Sequence, residues 1–331
     1  MVKKLKDSIR QHALSLGFAR AGFAPLDEAE HADAFRRWLA NGHYADMAWM
    51  AHDPETRVNP SAYVPLARTA VVTAWPYGAP STVDSPSVAA YAVGLDYHDV
   101  LREKLNDLLA FVRRISSPNT RGWVCVDTSP VLERDLAMRA GIGWIGKNTC
   151  LIVPGAGSWF LLGVLFLDLE QEPDSPSPSP GHCGTCTRCL DACPTRAFPV
   201  PYVLDARKCI SYLTIENKGE IPEELRTDLG LNVFGCDVCQ AVCPHNTKVS
   251  IRVDNSIDPL ELLEMDEATF RRRFRGTPFF RTKRRGMIRN ACVALGNSGN
   301  PEAVPALKRL LSDHDPIIRE HAQWALERID R

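Results

Sequence analysis

Eight of the chain's 11 cysteines lie between Cys183 and Cys243. The first run is Cys183-x2-Cys186-x2-Cys189-x3-Cys193-Pro194, the second is Cys236-x2-Cys239-x3-Cys243-Pro244, and Cys209 stands alone between them. A cubane iron–sulfur cluster takes three thiolates from one tight loop and a fourth from elsewhere. Two-residue gaps let the loop curl round the cluster; a three-residue gap followed by proline turns the chain away, so the fourth cysteine of such a run serves the other cluster. On this reading Cys183, Cys186, Cys189 and Cys243 hold one [4Fe–4S] cluster. Cys193, Cys209, Cys236 and Cys239 hold a second. Structural zinc also favours paired Cys-x2-Cys, but it leaves the third closely spaced cysteine and the repeated Cys-Pro unexplained. Two neighbouring clusters form an electron wire, and a wire needs a terminal site that this spacing does not name. Cys125, Cys150 and Cys292 lack partners at useful spacing and read as buried small hydrophobes.

Two other segments carry apparent motifs. Gly141-Ile-Gly143-Trp-Ile-Gly146 fits a dinucleotide fingerprint, and its extension to Lys147-Asn148 nearly fits a phosphate loop. Both need a strand before and a helix after. Here the expected helix precedes the glycines and a strand follows, so close backbone packing beside a flat cofactor is the better use. His98, in Asp96-Tyr97-His98, suggests the histidine of a cobalt-binding Asp-x-His-x-x-Gly motif. Leu101 stands where the glycine should be, which leaves a surface or internally satisfied histidine.

The elements around these residues are those of a multi-domain α/β protein. The chain has 331 residues, 45% apolar and 24% charged, which excludes collagen, coiled-coil and wholly disordered classes. Its longest apolar run, Trp159 to Leu167, is far short of the roughly 20 residues of a membrane span. Asp7 and Arg10 interrupt any signal-like core, so a cytoplasmic location is expected. An amphipathic helix is expected over 1–22, a strand over Ala70–Trp75, a helix over Asp99–Ile115 and a strand over Trp123–Val126. A helix capped by Ser129, with Pro130 at its first position, should end at Gly141. Strands at Leu151–Val153 and Trp159–Leu167 complete an α/β unit. Pro173, Pro176, Pro178 and Pro180 mark a linker over 170–181.

Beyond Arg284 three helices are expected. Ile288-Arg289 recurs as Ile318-Arg319 and Ala294-Leu295 as Ala325-Leu326, the mark of a short HEAT-like solenoid or of a plain three-helix cap. Net charge is −1, yet Arg271–Arg289 holds nine basic residues and no acid. That stretch is either a polyanion-binding surface or a solvated helix face.

Taken together these stretches resemble the epoxyqueuosine reductases, the cobalamin-dependent enzymes that complete queuosine in transfer RNA. The resemblance rests on Glu55-Thr-Arg57-Val-Asn-Pro60, Gly94-x-Asp96-Tyr97-His98, Asp127-Thr-Ser-Pro-Val-Leu-Glu-Arg134 and Ala140-Gly-Ile-Gly-Trp-Ile-Gly-Lys-Asn148. It rests also on both cysteine runs, Arg207-Lys-Cys209-Ile-Ser211-Tyr-Leu-Thr214, Gly235-Cys-Asp-Val-Cys-Gln240 and the helical tail. It implies a nitroreductase-like α/β cobalamin domain over 1–170, a bacterial ferredoxin-like domain with two [4Fe–4S] clusters over 171–270, and a basic HEAT-like RNA-binding region over 271–331.

The resemblance assigns the terminal site to cobalamin without a histidine ligand. It makes Asp127 the proton donor, which near neutral pH calls for a pKa raised by burial; by itself Asp127 reads as a strand-end residue. Arg57 would meet the corrin, although a surface ion pair is its plain alternative. Ser211 and Asp237 would touch cobalamin or tune the second cluster, and Leu151 and Leu162 would line the corrin. Ala89 occupies a position that is sometimes cysteine. Arg281, Lys283, Arg284, Arg285 and Arg289 would grip RNA phosphates. The expected partners are a transfer RNA carrying epoxyqueuosine at the wobble position and a flavodoxin- or ferredoxin-type electron donor, with the chain a monomer. Competing readings are a cobalamin-dependent reductase of a small molecule and a ferredoxin-like carrier fused to an interaction solenoid.

Overall fold

The computed structural model describes residues 2–82, 85, 87–175 and 183–330, without the side chains of Val2 and Lys3. Helix α1 (Val2–Ser15) turns Ile9 and Ala13 inward. It is shorter than the sequence suggests, because Gly17 takes φ +94 and redirects the chain into β1 (Arg20–Ala24). Strand β2 (Thr69–Pro76), helix α2 (Tyr97–Ile115), strand β3 (Gly122–Cys125), helix α3 (Glu133–Arg139) and strand β4 (Phe160–Leu167) follow. The strands form one sheet in the order β1-β2-β4-β3, antiparallel throughout, with Val72 opposite Val164 and Cys125 opposite Val164 on its other side.

Side chains alternate across this sheet, as a period of two requires. Val71, Leu165 and Leu167 pack with Ile9, Leu101, Leu105 and Leu108 of α1 and α2. Ala70, Val72, Val164 and Phe166 pack with Leu136, Ala137 and Ala140 at α3. Both faces are therefore covered by helix. Helix α3 ends where expected, before Gly141 at φ +71, but it does not start at Ser129. After β3 the chain makes two tight turns, with Thr128 N–H to the Val126 carbonyl at 2.6 Å and Val131 N–H to the Ser129 carbonyl at 2.8 Å. These consume the residues that resemble a cap, and Leu132 takes the cap position.

A strap after β2 ties this unit to the cysteine-rich segment. Ala79–Pro80 pairs in parallel with Arg252–Val253, and Ser87–Val88 with Asn232–Phe234. The Ala89 N–H donates to the Phe234 carbonyl at 2.6 Å. Gly235 (φ +73) lies beneath it, and a Cβ there would fall 2.5 Å from that of Ala89. Glycine is thus required both for the backbone turn and for the close approach.

The tail comprises α4 (Pro259–Leu263), α5 (Glu267–Phe274), α6 (Lys283–Ser298), α7 (Val304–Leu310) and α8 (Pro316–Ile329). The repeated residues Ile288 and Ile318, Ala294 and Ala325 share one core, which also takes in Val88, Phe234, Leu262, Phe270 and Phe274. The boundary read at residue 271 consequently falls inside α5, whose two phenylalanines belong to the tail core. Of the proline-rich linker, residues 176–181 lie outside the described residues. No described helix is long and apolar enough to cross a membrane.

Candidate active site

The two cysteine runs fold alike. Each carries a one-turn helix, Arg188–Asp191 or Val238–Ala241, followed by a Cys-Pro turn. Cys193 N–H reaches the Leu190 carbonyl at 3.4 Å and Cys243 N–H the Gln240 carbonyl at 3.1 Å. All 11 cysteines are free. Burial pushes the Cys189 thiol up to about 11, followed by the charges of Cys183 and Cys243, with Cys186 adding to them. Burial pushes Cys236 up to about 12, with Cys209 and Cys193 among the further causes. Cys239 is raised foremost by the Cys150 thiol, then by burial, and also by Cys236 and Cys209. The Cys189 thiol thus feels the charges of Cys183, Cys186 and Cys243, and the Cys236 thiol those of Cys193 and Cys209, while Cys150 acts on Cys209, Cys239 and Cys243. Among the described residues no group of three or more His, Cys, Asp or Glu side chains is close enough to hold a metal ion. Cys150, read as a lone hydrophobe, instead stands against Cys239.

The glycine-rich segment 141–148 binds these loops to the sheet. Gly143 lies against the Ile152 carbonyl, where a Cβ would come within 2.2 Å, so its close packing is on a hairpin backbone. Lys147 Nζ donates to the carbonyls of Gly184 (2.7 Å) and Cys186 (3.0 Å), and Asn148 Nδ2 donates to that of Cys239 (3.3 Å). The near-phosphate-loop is therefore a bracket across both cysteine runs.

Asp127 sits at the end of β3, with φ +53 and a side chain 51% exposed. Tyr97 Oη donates to its Oδ2 at 2.8 Å, and His98 Nε2 meets the same oxygen at 3.1 Å. His98 Nδ1 lies 2.7 Å from Asp96 Oδ1, which also accepts the His98 N–H as the cap of α2. Arg281 stands 3.9 Å from Asp127 Oδ2 and is paired with Glu216 at 2.9 Å. Burial works to raise the Asp127 carboxyl, but the His98 and Tyr97 hydrogen bonds and the charges of His98 and Arg281 outweigh it. The net direction is down, opposite to the upward shift expected from the sequence. His98, expected to be peripheral, is raised: burial lowers it, and the hydrogen bonds and charges of Asp127 and Asp96 prevail.

Arg57 is 8% exposed. It donates to the carbonyls of Trp49 (3.3 Å) and, more weakly, Ser129 (3.5 Å). Among the described residues its Nε is buried without a partner, as are Glu133 Oε1 and Trp159 Nε1. Burial lowers Arg57, which faces Glu133 and Asp127. It pushes Glu133 up to about 8, a shift that the Asp127 charge reinforces. Asp237 is buried, accepts the Ala90 N–H at 2.7 Å and is pushed up to about 6 by burial. Tyr91 lies between, perturbed by burial and by both Asp127 and Asp237. Ser211 turns its backbone N–H to the Cys209 sulfur. Leu151 is buried, and half-buried Leu162 packs against the same core. An open groove of about 440 Å³, lined by Asp258, Glu261, Glu264, Glu302 and Arg309, contains none of these groups.

Of the five basic residues proposed for phosphate, Arg281, Lys283 and Arg285 are exposed. Arg285 is paired with Asp315 at 2.8 Å. Arg284 is paired with Asp313 at 3.0 Å and is largely covered. Arg289 must be removed from the group. It is 1% exposed and donates to the carbonyls of Leu213, Asn217 and Gly219. A positive stretch does not reveal which turn of its helix faces inward.

Comparison with known proteins places this geometry. Residues 57–128 match the family model described as epoxyqueuosine reductase QueG, DUF1730, residues 182–246 a 4Fe-4S double cluster binding domain, and residues 285–331 HEAT repeats. The epoxyqueuosine reductase of Xanthomonas campestris pv. campestris is 41% identical over 338 residues, covering 96% of this chain and 94% of the relative. The chain belongs to the epoxyqueuosine reductase family. The Escherichia coli K12 member is 35% identical over 350 residues, covering 100% of this chain and 91% of that one. A crystal structure of an epoxyqueuosine reductase with an epoxyqueuosine-modified tRNA-Tyr stem loop superposes with a TM-score of 0.91 at 32% identity, covering 100% of this chain and 92% of that one. A Bacillus subtilis member, seen with its catalytic aspartate loop swung out of the active site, gives 0.88 at 32%, with coverage of 99% and 91%. Membership carries the double [4Fe–4S] cluster with it. Tyr97, His98, Glu133 and the bracket Lys147-Asn148 are the groups whose placement the sequence reading missed; the motifs around them were the available signal.

Proposed function

We propose that this chain reduces epoxyqueuosine to queuosine at the wobble position of a transfer RNA, with Asp127 delivering a proton to the epoxide oxygen. The observation that carries this is the position of Asp127: a half-exposed carboxylate at the edge of the sheet unit, beside Arg281 from the basic tail. Cys183, Cys186, Cys189 and Cys243 would hold one cluster, and Cys193, Cys209, Cys236 and Cys239 the other. The fit of cobalamin is supported by unpartnered buried polar atoms on Arg57, Glu133 and Trp159, which a ligand bearing amides could satisfy. Arg57, Asp127, Leu151, Leu162, Ser211 and Asp237 are its proposed contacts. When bound, the clusters carry single electrons and cobalamin supplies a strongly reducing metal centre.

The chain's own residues do the rest. Asp127 presents Oδ1, which makes no hydrogen bond among the described residues, while Tyr97 and His98 fix Oδ2. General acid assistance of this kind contributes typically 10²–10⁴-fold. Arg281, 3.9 Å from Asp127 Oδ2, sets a positive charge beside the carboxyl that gives up the proton. Exposed Arg271, Arg272, Arg273, Arg275, Lys283 and Arg285 would hold backbone phosphates, giving affinity that falls with salt, while the splayed base supplies specificity. A flavodoxin- or ferredoxin-type donor would feed the clusters, and the cytoplasm is the fitting location. Domain limits near 170 and 270 remain the proposed division, with the strap and α5 crossing them.

The test is anaerobic turnover of epoxide-bearing transfer RNA by cluster- and cobalamin-loaded protein, with mass analysis of the released nucleoside. Loss of one oxygen is expected. An unchanged nucleoside, with both cofactors spectroscopically present and reduced, refutes the proposal.

A further inference from the structure

Removing an epoxide oxygen as water follows a fixed balance: epoxide plus two electrons and two protons gives alkene plus one water. Both protons end on the same oxygen. One carboxyl supplies one proton, so a second source must stand within reach of Asp127. The described structure offers one arrangement that meets this need.

His98 is pinned at both ring nitrogens. Nδ1 lies 2.7 Å from Asp96 Oδ1, and that oxygen is itself fixed by the His98 N–H at 3.0 Å. An ionised carboxylate only accepts hydrogen bonds, so Nδ1 carries a hydrogen. Nε2 lies 3.1 Å from Asp127 Oδ2. In the neutral ring with hydrogen on Nδ1, Nε2 would be an acceptor facing another acceptor. The contact therefore holds a proton, either on Nε2 or on Oδ2. Tyr97, stacked on the ring at 4.1 Å between centroids, donates to Oδ2 as well. All the bonds to Asp127 converge on Oδ2, and Oδ1 is left to face a substrate.

The geometry points to His98 as the proton reservoir that reloads Asp127, so that the Asp96–His98–Asp127 chain supplies the second proton of the reaction through the same carboxyl that supplies the first. In this scheme the Nε2 proton of His98 passes through Asp127 to the epoxide oxygen as the C–O bond opens. His98, recharged from solvent, then passes a second proton to Asp127, and Asp127 protonates the departing hydroxyl, which leaves as water. The electrons come from the external low-potential donor through the clusters. The His98 ring regains its proton from solvent, from which its side chain is 15% exposed. His98 acts through Asp127 and is a positioning and proton-storing residue.

The surroundings agree. Facing the dyad are Asp96, Tyr97, Arg281 from the tail, Arg57 and Glu133 from behind, with Glu216 reaching it through Arg281. Asp127 is held below the usual carboxylate range and His98 above its ordinary 6.5. The resting proton thus sits on His98, and Asp127 alone would be empty at neutral pH. A raised histidine pKa means that the reservoir is full below that value and empties as pH rises through it.

This inference rests on Asp127 being the delivering acid, and the experiment separates the two. Single-turnover rates on an epoxyqueuosine-bearing stem loop are followed against pH with fully reduced enzyme in wild type, Asp127→Asn and His98→Gln. Wild type should lose rate along one alkaline limb. His98→Gln should lose that limb and run about 10²-fold slower at neutral pH, with stem-loop binding unchanged. Near-normal Asp127→Asn turnover sinks the Asp127 reading; a dead Asp127→Asn with a wild-type profile in His98→Gln sinks only the relay. Ring-labelled histidine in the cluster-loaded chain gives a second readout, which decides the matter if His98→Gln does not fold. The His98 resonance should titrate above 6.5 and move down in Asp127→Asn. Titration at or below 6.5, or no response to Asp127→Asn, overturns the proposal.

Discussion

Truncating Arg289 to alanine tests whether this residue grips RNA or holds the fold. Its guanidinium donates to the carbonyls of Gly219 at 2.6 Å, Leu213 at 2.7 Å and Asn217 at 2.9 Å, and to Asn290 Oδ1 at 2.9 Å. Three of these acceptors belong to the backbone between the lone cysteine and the second run. A buried acceptor left without a donor costs about 1–3 kcal/mol. Part is recovered because a charged group no longer has to be buried and water can enter the space. A net loss of about 4 kcal/mol is expected, which at about 2 °C per kcal/mol for a chain of this size lowers the melting point by about 8 °C. The assay is thermal unfolding beside stem-loop binding at several salt concentrations. Arg272→Ala, on the exposed face of α5, is the contrast: melting unchanged, salt slope reduced by about one phosphate contact. If Arg289→Ala melts like wild type and shows the reduced slope instead, its assignment to the core is wrong.

Asp127→Asn should keep both clusters and bind the stem loop while losing turnover, checked by iron analysis beside nucleoside mass. Cys193→Ala should leave about four irons per chain, whereas Cys150→Ala, beside a ligand but not one itself, should keep about eight; equal losses would redraw the ligand set. Glu133 carries its proton in the fold up to about pH 8, against an ordinary 4.5. Its contribution to stability is therefore full below about 4.5 and lost as pH rises through about 8. Protein free of cobalamin should become less stable across that window, and Glu133→Gln should flatten the trend in a melting-versus-pH series.

What was legible in the sequence was local. The cysteine runs declare themselves because a cluster loop is built from residues two and three apart, and α2 was readable from Leu101, Leu105, Leu108 and Val112 on one face. What failed depended on distant partners. His98 seemed satisfied or peripheral because its partner lies 29 positions on, across a turn at Asp127 whose positive φ no pattern announces. Ser129-Pro130 has the chemistry of a helix start, yet two preceding tight turns delay the helix. Cys150 has no neighbour in sequence and a sulfur neighbour in space. The strap over 79–92 has no period at all, since its two strands are two residues each.

That strap has a consequence for how the molecule is made. Val88 finds its partner only when Phe234 exists. At about 5–20 residues per second on the ribosome, the wait is roughly 7–30 seconds. Once Phe160–Leu167 is made the sheet unit can close, but the strap stays unpaired, and the thiols destined for iron are still being synthesised. Assembly of the metal centres and final closure therefore fall in the same late window, when the nascent chain is most exposed to oxidants and most dependent on cluster-delivery machinery.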